Sequence, residues 1–254
     1  MARRVPQGPP PPPVVQRVRL RYAKRGRLRF TSHRDFARAF ERALRRAEVP
    51  MGYSAGFSPH PKISYVGAAP TGVASEAEFL EIGLARAVDL AELCRALDAA
   101  LPAGLDIVEA VPAGPGSLAQ RMQASHWRVE LPGPGVDAVS AAVTAFMAHQ
   151  EVPVERLTKQ GRRTIDARGA VVSVDVSSAS AGADGIPRAI LNLVVRQVTP
   201  AVRPDDVLSA LRIVAGLALA APPVAVRVAQ GPLDAGGVVG DPLAADRATE
   251  KTTA

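Results

Sequence analysis

The chain has 254 residues, a formal net charge of +7 and a sequence pI near 10.3, so it is strongly basic and long enough for two small domains. Its single cysteine, Cys94, excludes an internal disulfide and any cysteine-rich metal or iron–sulfur site, and its four histidines show no short ligand spacing. We therefore expect no metal and no cofactor. No apolar stretch reaches the roughly 20 residues of a membrane span, and the first residues lack a signal peptide's hydrophobic region, which predicts a cytoplasmic protein without a membrane partner.

Both ends of the chain have the composition of disordered tails. Residues 1–16 include five consecutive prolines, and residues 233–254 are rich in Gly, Ala and Asp without apolar periodicity. Between them, a segment rich in Gly and Pro separates two periodic halves. The predicted domains are residues 17–112 and 123–232, joined by a linker over 113–122.

From Arg17 the chain alternates basic and apolar residues with the period of a β-strand. Val18, Leu20 and Tyr22 share one face, and arginines occupy the positions between them. A Lys-Arg-Gly turn follows, and the alternation resumes over residues 27–30. This pattern predicts a strand pair with one buried face and one cationic face.

A helix is predicted directly after this strand pair. Ser32 is a typical N-cap residue, and Asp35 three positions later suits the positive end of the helix dipole. Apolar residues then recur at helical spacing and form one stripe, which consists of Phe36, Phe40, Ala43, Leu44 and Ala47. We expect the arginines of this helix to lie on its outer side.

The remaining periodic segments predict the fold class. The first half continues with strands near 51–54, 63–66 and 78–84, a helix over 89–101 and a strand over 105–111. The second half has strands near 126–131, 154–158, 163–176, 189–198 and 224–228, with helices over 136–150 and 204–219. We predict an α+β protein of two ferredoxin-like halves, each with the order β-α-β-β-α-β, packed together.

The positive charge is concentrated in one segment. Between Arg17 and Ala47 there are twelve Lys and Arg residues and two acidic ones, so this segment carries a net charge of +10 and the rest of the chain about −3. A local patch of this kind is typical of a surface that binds nucleic-acid phosphates, although a merely solvated basic face has the same composition. The predicted binding residues are Arg27, Arg38, Arg42, Arg45 and Arg46.

The segment Y-S-A-G-F-S-P-H-P-K-I-S, residues 53–64, follows this basic helix. Prolines on both sides of His60 restrict the backbone, so the imidazole is presented with little freedom. This favours a recognition loop; the structural alternative is a rigid connection with Phe57 in the core. The candidate binding residues here are Tyr53, Ser54, Ser58, His60, Lys62 and Ser64.

The chain carries four motifs that resemble a known family: R-F-T-S-H-R-D-F-A-R-A-F-E-R-A-L-R-R-A, Y-S-A-G-F-S-P-H-P-K-I-S, P-T-G-V-A-S-E-A-E-F-L-E-I and T-K-Q-G-R-R-T-I-D-A-R. In their order and spacing they resemble the radical-SAM-linked protein family, a bacterial domain of unknown function. The resemblance covers most of residues 17–228. The chain departs from the family pattern at Ser58, where asparagine is common, and at Asp166-Ala167-Arg168-Gly169, where the family commonly has D-[IV]-R-P.

The resemblance implies a partner protein. In that family the domain is encoded beside, or fused to, a radical-SAM protein with a predicted cobalamin-binding region. A radical-SAM cluster needs three cysteines and this chain has one, so the resemblance implies an accessory role rather than that chemistry.

Three functions stay open at the level of sequence. The first, which we favour, is an accessory protein that is not an enzyme by itself, binds RNA or another polyanion, and works with the radical-SAM partner. Shape and phosphate recognition suit it better than base stacking, because aromatic residues make up only 4% of the chain. The second is a metal-independent endoribonuclease in which His33 and His60 are the candidate general acid and base and Lys62 stabilises the charge that develops on the phosphorane. The third is a scaffold whose basic face meets an acidic patch on the partner.

A smaller polar cluster lies in the second half. Its basic candidates for nucleic-acid binding are Lys159, Arg162 and Arg163, and Asp166 and Arg168 follow them. A charged hairpin turn around residue 161 accounts for the same residues without a ligand. The family resemblance at this stretch keeps the binding interpretation open.

Overall fold

The computed structural model describes residues 11–158, 161–179 and 185–253 and has the α+β class predicted from the sequence. The chain divides into two compact units. The first ends at Gln120 and resumes at Pro242, and the second runs from Arg121 to Asp241. The division falls within residues 113–122, the segment that composition indicates as a linker.

The first unit is built on a four-stranded sheet with two helices. Its elements are β1 (Gln16–Lys24), α1 (His33–Arg46), β2 (Ile63–Val66), β3 (Ala74–Leu84), α2 (Leu90–Ala100) and β4 (Leu105–Pro112). The strands lie in the order β4-β1-β3-β2, and each neighbouring pair is antiparallel. The apolar face of β1 packs with the buried stripe of α1, and Tyr22 stacks on Phe36 with ring centroids 4.1 Å apart.

The cap and the buried stripe of α1 are as predicted. The Ser32 hydroxyl accepts a hydrogen bond from the Asp35 backbone N–H at 3.2 Å and donates one to the Asp35 carboxylate at 2.6 Å. Phe36, Phe40 and Leu44 are buried. Because one face of α1 is committed to the core, its arginines lie on the solvent side.

The prediction of a strand over residues 27–30 is wrong. Gly26–Phe30 form a 3-10 helix, which begins at a glycine with φ of +53°. β1 is already hydrogen-bonded to β3 on one side and to β4 on the other, so it has no free edge for a hairpin partner. Alternation over four residues is too short to distinguish the two conformations.

The second unit has a comparable sheet with an additional hairpin. Its elements are β5 (Ala124–Pro132), α3 (Val136–Met147), β6 (Pro153–Thr158), β7 (Gly161–Asp166), β8 (Val171–Ala179), β9 (Arg188–Arg196), α4 (Pro204–Ala215) and β10 (Val224–Gly231). The main sheet has the order β10-β5-β9-β8 with antiparallel pairs, and β6 pairs with β7. The single strand predicted over 163–176 is divided, because the Asp166 carboxylate accepts backbone hydrogen bonds from Arg168 and Gly169, both at 2.9 Å, and turns the chain.

The C-terminal segment differs from the disordered tail predicted for residues 233–254. Ala244–Thr253 form α5, which contacts β4 in the first unit. Leu243 and Asp246 are fully buried, and the Asp246 carboxylate accepts hydrogen bonds from Arg19 at 2.8 and 2.9 Å. Composition misses this order because it depends on a residue 227 positions earlier in the chain. Of the tail predicted over 1–16, residues 1–10 lie outside the described residues.

Candidate nucleic-acid interface

One side of α1 carries an unbalanced row of arginines. Arg34, Arg38, Arg42 and Arg45 lie at i, i+4, i+8 and i+11, which puts them on one side of the helix, and all four are exposed. At 1.5 Å per residue the row is about 16 Å long. Within the described residues, none of the four guanidinium groups has a hydrogen bond or an ion pair. We call these four residues the arginine row.

The arginine row works against the stability of its own helix. Like charges at i and i+4 destabilise a helix by about 0.2–0.5 kcal/mol per pair, and the row contains two such pairs, Arg34 with Arg38 and Arg38 with Arg42. Asp35 is engaged with the Ser32 cap, and Glu41 is only half-exposed. An anionic ligand lying along the helix relieves this repulsion.

Other parts of the basic segment are neutralised within the first unit. Arg19 is 1% exposed and binds Asp246 as well as Glu81, the latter at 3.0 Å. Burial lowers the pKa of Arg19, but its hydrogen bonds to Asp246 and then Glu81 outweigh this, and the net pKa lies above the ordinary value. Arg17 also binds Glu81, at 3.1 Å. Two of the three arginines on the cationic face predicted for β1 are therefore neutralised within the unit.

Two further basic residues of this segment are committed to internal contacts. Lys24 is buried and donates to the carbonyls of Ala69 and Pro70. Arg25 forms ion pairs with Glu76 and, at 2.8 Å, with Asp106. The net charge of the segment therefore overstates the charge that a ligand meets.

The five predicted arginines lie in different environments in the structure. Arg38, Arg42 and Arg45 belong to the arginine row, whereas Arg27 is exposed in the 3-10 helix before α1. Arg46 is exposed but donates to the Ala100 carbonyl at 3.1 Å. Arg34 is not among the predicted residues, although its position four residues before Arg38 places it on the same side of the helix.

The segment from residue 52 to residue 62, here called the Pro-His-Pro loop, is pinned at its base. The Ser54 backbone N–H donates to the His60 carbonyl at 2.9 Å, and the His60 N–H donates to the Ser54 hydroxyl at 3.0 Å. The Lys62 N–H donates to the Gly52 carbonyl at 2.8 Å, and Tyr53 pairs with Pro61. Ser54 therefore has a structural role, because its hydrogen bonds to the His60 backbone fix the position of the two prolines on either side of His60.

The tip of this loop projects into solvent. Residues 55–59 are all exposed, and Phe57 retains 69% of its accessible surface. The structural alternative that puts Phe57 in the core is therefore wrong. Tyr53 is 40% exposed at the base of the same loop, and Ser58 lies at the tip.

Two cavities flank the loop and share His60 and Pro61 as a common wall. The helix-side cavity, of about 210 Å³, lies toward α1 and is lined by Glu41, Leu44, Arg45, Val49, Met51, Tyr53 and Pro59 in addition to the shared wall. The strand-side cavity, of about 320 Å³, is lined by Val14, Arg17, Ser54, Lys62, Ile63, Ser64, Glu81, Ile82 and Gly83 in addition to the shared wall. The structure therefore brings together His60, Lys62 and Ser64 from the predicted set, and Tyr53 with the end of the arginine row.

His33 occupies a different environment from His60. It is exposed at the first position of α1 and packs edge-on against Tyr65, with ring centroids 4.9 Å apart. It lines neither of the two cavities. The Tyr65 hydroxyl is buried without a hydrogen-bond partner among the described residues, and burial together with the negative charge of Glu41 raises the pKa of Tyr65.

The predicted cluster of the second unit separates into structural and exposed residues. Arg168 donates to the Val171 carbonyl at 3.1 Å and lies over the Phe146 ring, so with Asp166 it supports the turn after β7. Arg162 forms an exposed ion pair with Glu155 at 3.1 Å. Arg163 is exposed on β7, and Lys159 lies outside the described residues.

Within the described part of the chain, no group of three or more His, Cys, Asp or Glu side chains is arranged to hold a metal ion. Across the same residues, every helix is too short or too polar to cross a membrane.

The chain was compared with known proteins. A search of curated proteins gives no match. A solved structure described as an unknown protein from Galdieria sulphuraria matches with 21% sequence identity and a TM-score of 0.23, covering 78% of this chain and 91% of that chain. A family model described as "Uncharacterized protein conserved in bacteria (DUF2344)" matches residues 17–204, which is more than half of the chain. The chain therefore belongs to the DUF2344 family of bacterial proteins.

Proposed function

We propose that this protein is an accessory factor that binds RNA through the arginine row and the adjacent Pro-His-Pro loop. The observation that carries this is the row itself, four exposed guanidinium groups without an internal partner among the described residues. Guanidinium groups stay charged at all physiological pH values and match the geometry of phosphate oxygens. A row about 16 Å long can engage several consecutive phosphates.

The binding is electrostatic and therefore depends strongly on salt. If about five phosphates are engaged, the slope of log Kobs against log salt concentration is roughly −3.5 for a single strand and −4.5 for a duplex. The test is a triple charge reversal in the row, Arg38→Glu, Arg42→Glu and Arg45→Glu, measured by fluorescence anisotropy with labelled RNA. We expect a large loss of affinity and a flatter salt slope.

A matched control has the same change in net charge. Arg86, Arg95 and Arg212 are exposed arginines outside α1, so reversing these three to Glu alters the overall field equally without touching the row. This control is expected to bind nearly as wild type. Equal affinities for the two triple variants would place the binding surface elsewhere.

The topology of each unit supports a finer proposal, that both are ferredoxin-like modules. The first unit has the element order β-α-β-β-α-β with the antiparallel sheet order β4-β1-β3-β2. The second has the equivalent order β10-β5-β9-β8, with the β6–β7 hairpin inserted after its first helix. Inter-strand NOEs that join β1 to both β3 and β4 would test this for the first unit.

The family resemblance supports a radical-SAM protein with a cobalamin-binding region as the partner. In this arrangement the chain presents RNA, and the partner supplies the chemistry. Co-purification of the tagged chain with the radical-SAM protein encoded beside it tests the association. The pure scaffold would be favoured if the purified chain carried no nucleic acid, judged by its absorbance at 260 nm, and if the complex still formed fully after nuclease treatment.

One observation favours the endoribonuclease as a second candidate: His60 and Lys62 line the same cavity. His33, the second acid–base candidate, does not line it. Incubation of labelled RNA with the protein and a metal chelator tests this function. Cleavage that His60→Ala abolishes would identify a nuclease, and intact RNA would leave the binding function.

A further inference from the structure

We infer that the two cavities beside the Pro-His-Pro loop bind one unpaired nucleotide, with its base in the helix-side cavity and its phosphate in the strand-side cavity. This inference rests on the proposed RNA binding and specifies the ligand as single-stranded. Its starting point is the shared wall: His60 and Pro61 line both cavities, so the two cavities adjoin at one residue pair.

The helix-side cavity has the size and lining of a base site. Its volume of about 210 Å³ is below the roughly 300–1,000 Å³ of sites for drug-sized ligands, which suits a single flat ring. Leu44 and Met51 supply apolar surface, and the half-exposed Tyr53 ring offers a face for stacking. Stacking on one aromatic side chain contributes about 1–3 kcal/mol per base.

A carboxylate gives this cavity a means of distinguishing bases. Glu41 lines it and has no hydrogen bond or ion pair among the described residues. An ionised carboxylate only accepts hydrogen bonds, so it favours a base with an exocyclic amino group. Cytosine has such an amino group, whereas uracil offers only its ring N3–H between two carbonyl oxygens, which a carboxylate repels. Arg45, from the arginine row, lines the same cavity and links it to the phosphate-binding surface.

The strand-side cavity has the charge of a phosphate site. Arg17 and Lys62 line it, and Lys62 has no ion pair or side-chain hydrogen bond within the described part of the chain. One carboxylate, Glu81, is also present, but it is shared between Arg17 and the buried Arg19. The net charge of the cavity is therefore positive, and the Ser64 hydroxyl adds a donor.

The backbone around the shared wall is organised before any ligand binds. Ser54 holds His60 through two hydrogen bonds, and prolines fix the residues on both sides. A preformed wall reduces the entropy lost on binding. A base paired within a duplex cannot enter the helix-side cavity, so the site selects single strands.

The test uses the full chain and two RNA probes of equal length and charge, rC10 and rU10, with a duplex of the same length as a third probe. We expect rC10 to bind at least about fivefold more tightly than rU10. Glu41→Gln should remove this preference. Tyr53→Ala should weaken both single strands by about fivefold or more and leave the duplex unchanged, while Tyr53→Phe should bind as wild type.

The control and the salt dependence separate this inference from the proposed function. Phe30 is an exposed aromatic residue outside the loop that lines neither cavity, so Phe30→Ala should retain the preference for rC10. Tyr53→Ala should keep the wild-type salt slope, because it removes no charge. Equal affinity for rC10 and rU10, or wild-type binding by Tyr53→Ala at an unchanged melting temperature, would overturn the nucleotide site while leaving phosphate binding intact. If the wild-type protein binds none of the RNA probes, both the nucleotide site and the proposed RNA-binding function are overturned.

Discussion

At the scale of single residues, the Pro-His-Pro loop divides its polar groups between structure and ligand. The Ser54 hydroxyl accepts from the His60 backbone, so it is committed to the loop. The side chains of His60 and Lys62 line cavities and have no hydrogen bond or ion pair among the described residues. Residues that share one motif in the sequence therefore have separate roles in the structure.

Cys94 gives a prediction at this scale. Burial raises the pKa of its thiol, and the nearby Asp98 and Glu109 carboxylates add to this. The folded protein therefore keeps the thiol proton at a pH where the unfolded chain loses it. Because of this difference, the free energy of unfolding is unaffected by this thiol below about pH 8.5 and falls as the pH rises further. We expect Cys94 to react with a disulfide reagent more slowly in the folded protein than in urea.

The measurement is the rate of thiol modification between pH 7 and pH 10. The rate should rise at a higher pH for the folded protein than for the unfolded one. Cys94→Ala supplies the blank. Identical pH profiles in the two states would contradict the expected shift.

Among the secondary-structure elements, α1 packs one face into the core, and the arginines on its other face repel one another. Replacing Arg38 with Gln removes two like-charge pairs, with Arg34 and with Arg42, at positions where both residues are good helix formers. We expect Arg38→Gln to raise the free energy of unfolding by about 0.4–1 kcal/mol in low salt while weakening RNA binding.

Urea denaturation at low and high salt measures this gain. Salt screens the repulsion between exposed charges, so the gain should shrink at high ionic strength. Arg95→Gln on α2 is a matched control, because Arg95 is exposed on a helix without such a row. A lower stability for Arg38→Gln would mean that this arginine supports the fold.

At the scale of the whole molecule, the end of the chain returns to the first unit through a buried ion pair. Arg19 is bonded to Asp246, to Glu81 and, at 2.6 Å, to the Gly116 carbonyl. Removing one partner of a buried pair leaves an uncompensated charge and costs about 3–5 kcal/mol. We therefore expect Asp246→Ala to lower the free energy of unfolding by about that amount.

Glu155→Ala is the control for this change. It removes one partner of the exposed Arg162–Glu155 pair, in which both side chains are at least 65% exposed, and should cost less than about 1 kcal/mol. Urea denaturation of the two variants gives the comparison. Equal losses would indicate that Asp246 is not buried in solution.

Features that depend on neighbours within a few residues can be predicted from the sequence. The Ser32 cap, the apolar stripe of α1 and the limits of β2 follow from local hydrogen bonding and from side-chain period. The outer arginines of α1 follow from the same period. For this reason the sequence predicts three members of the arginine row, Arg38, Arg42 and Arg45.

Which of the remaining charged and aromatic residues are accessible to a ligand depends on contacts between segments that are distant in the chain. Alternation marks Arg17 and Arg19 alike, but Arg19 is neutralised by Asp246, which is remote in the chain. Residues 27–30 do not form a strand because β3 and β4 occupy both edges of β1. The two cavities at His60 arise where α1, the loop and β3 meet. Long-range pairing sets these outcomes, and it leaves no local periodic signal in the sequence.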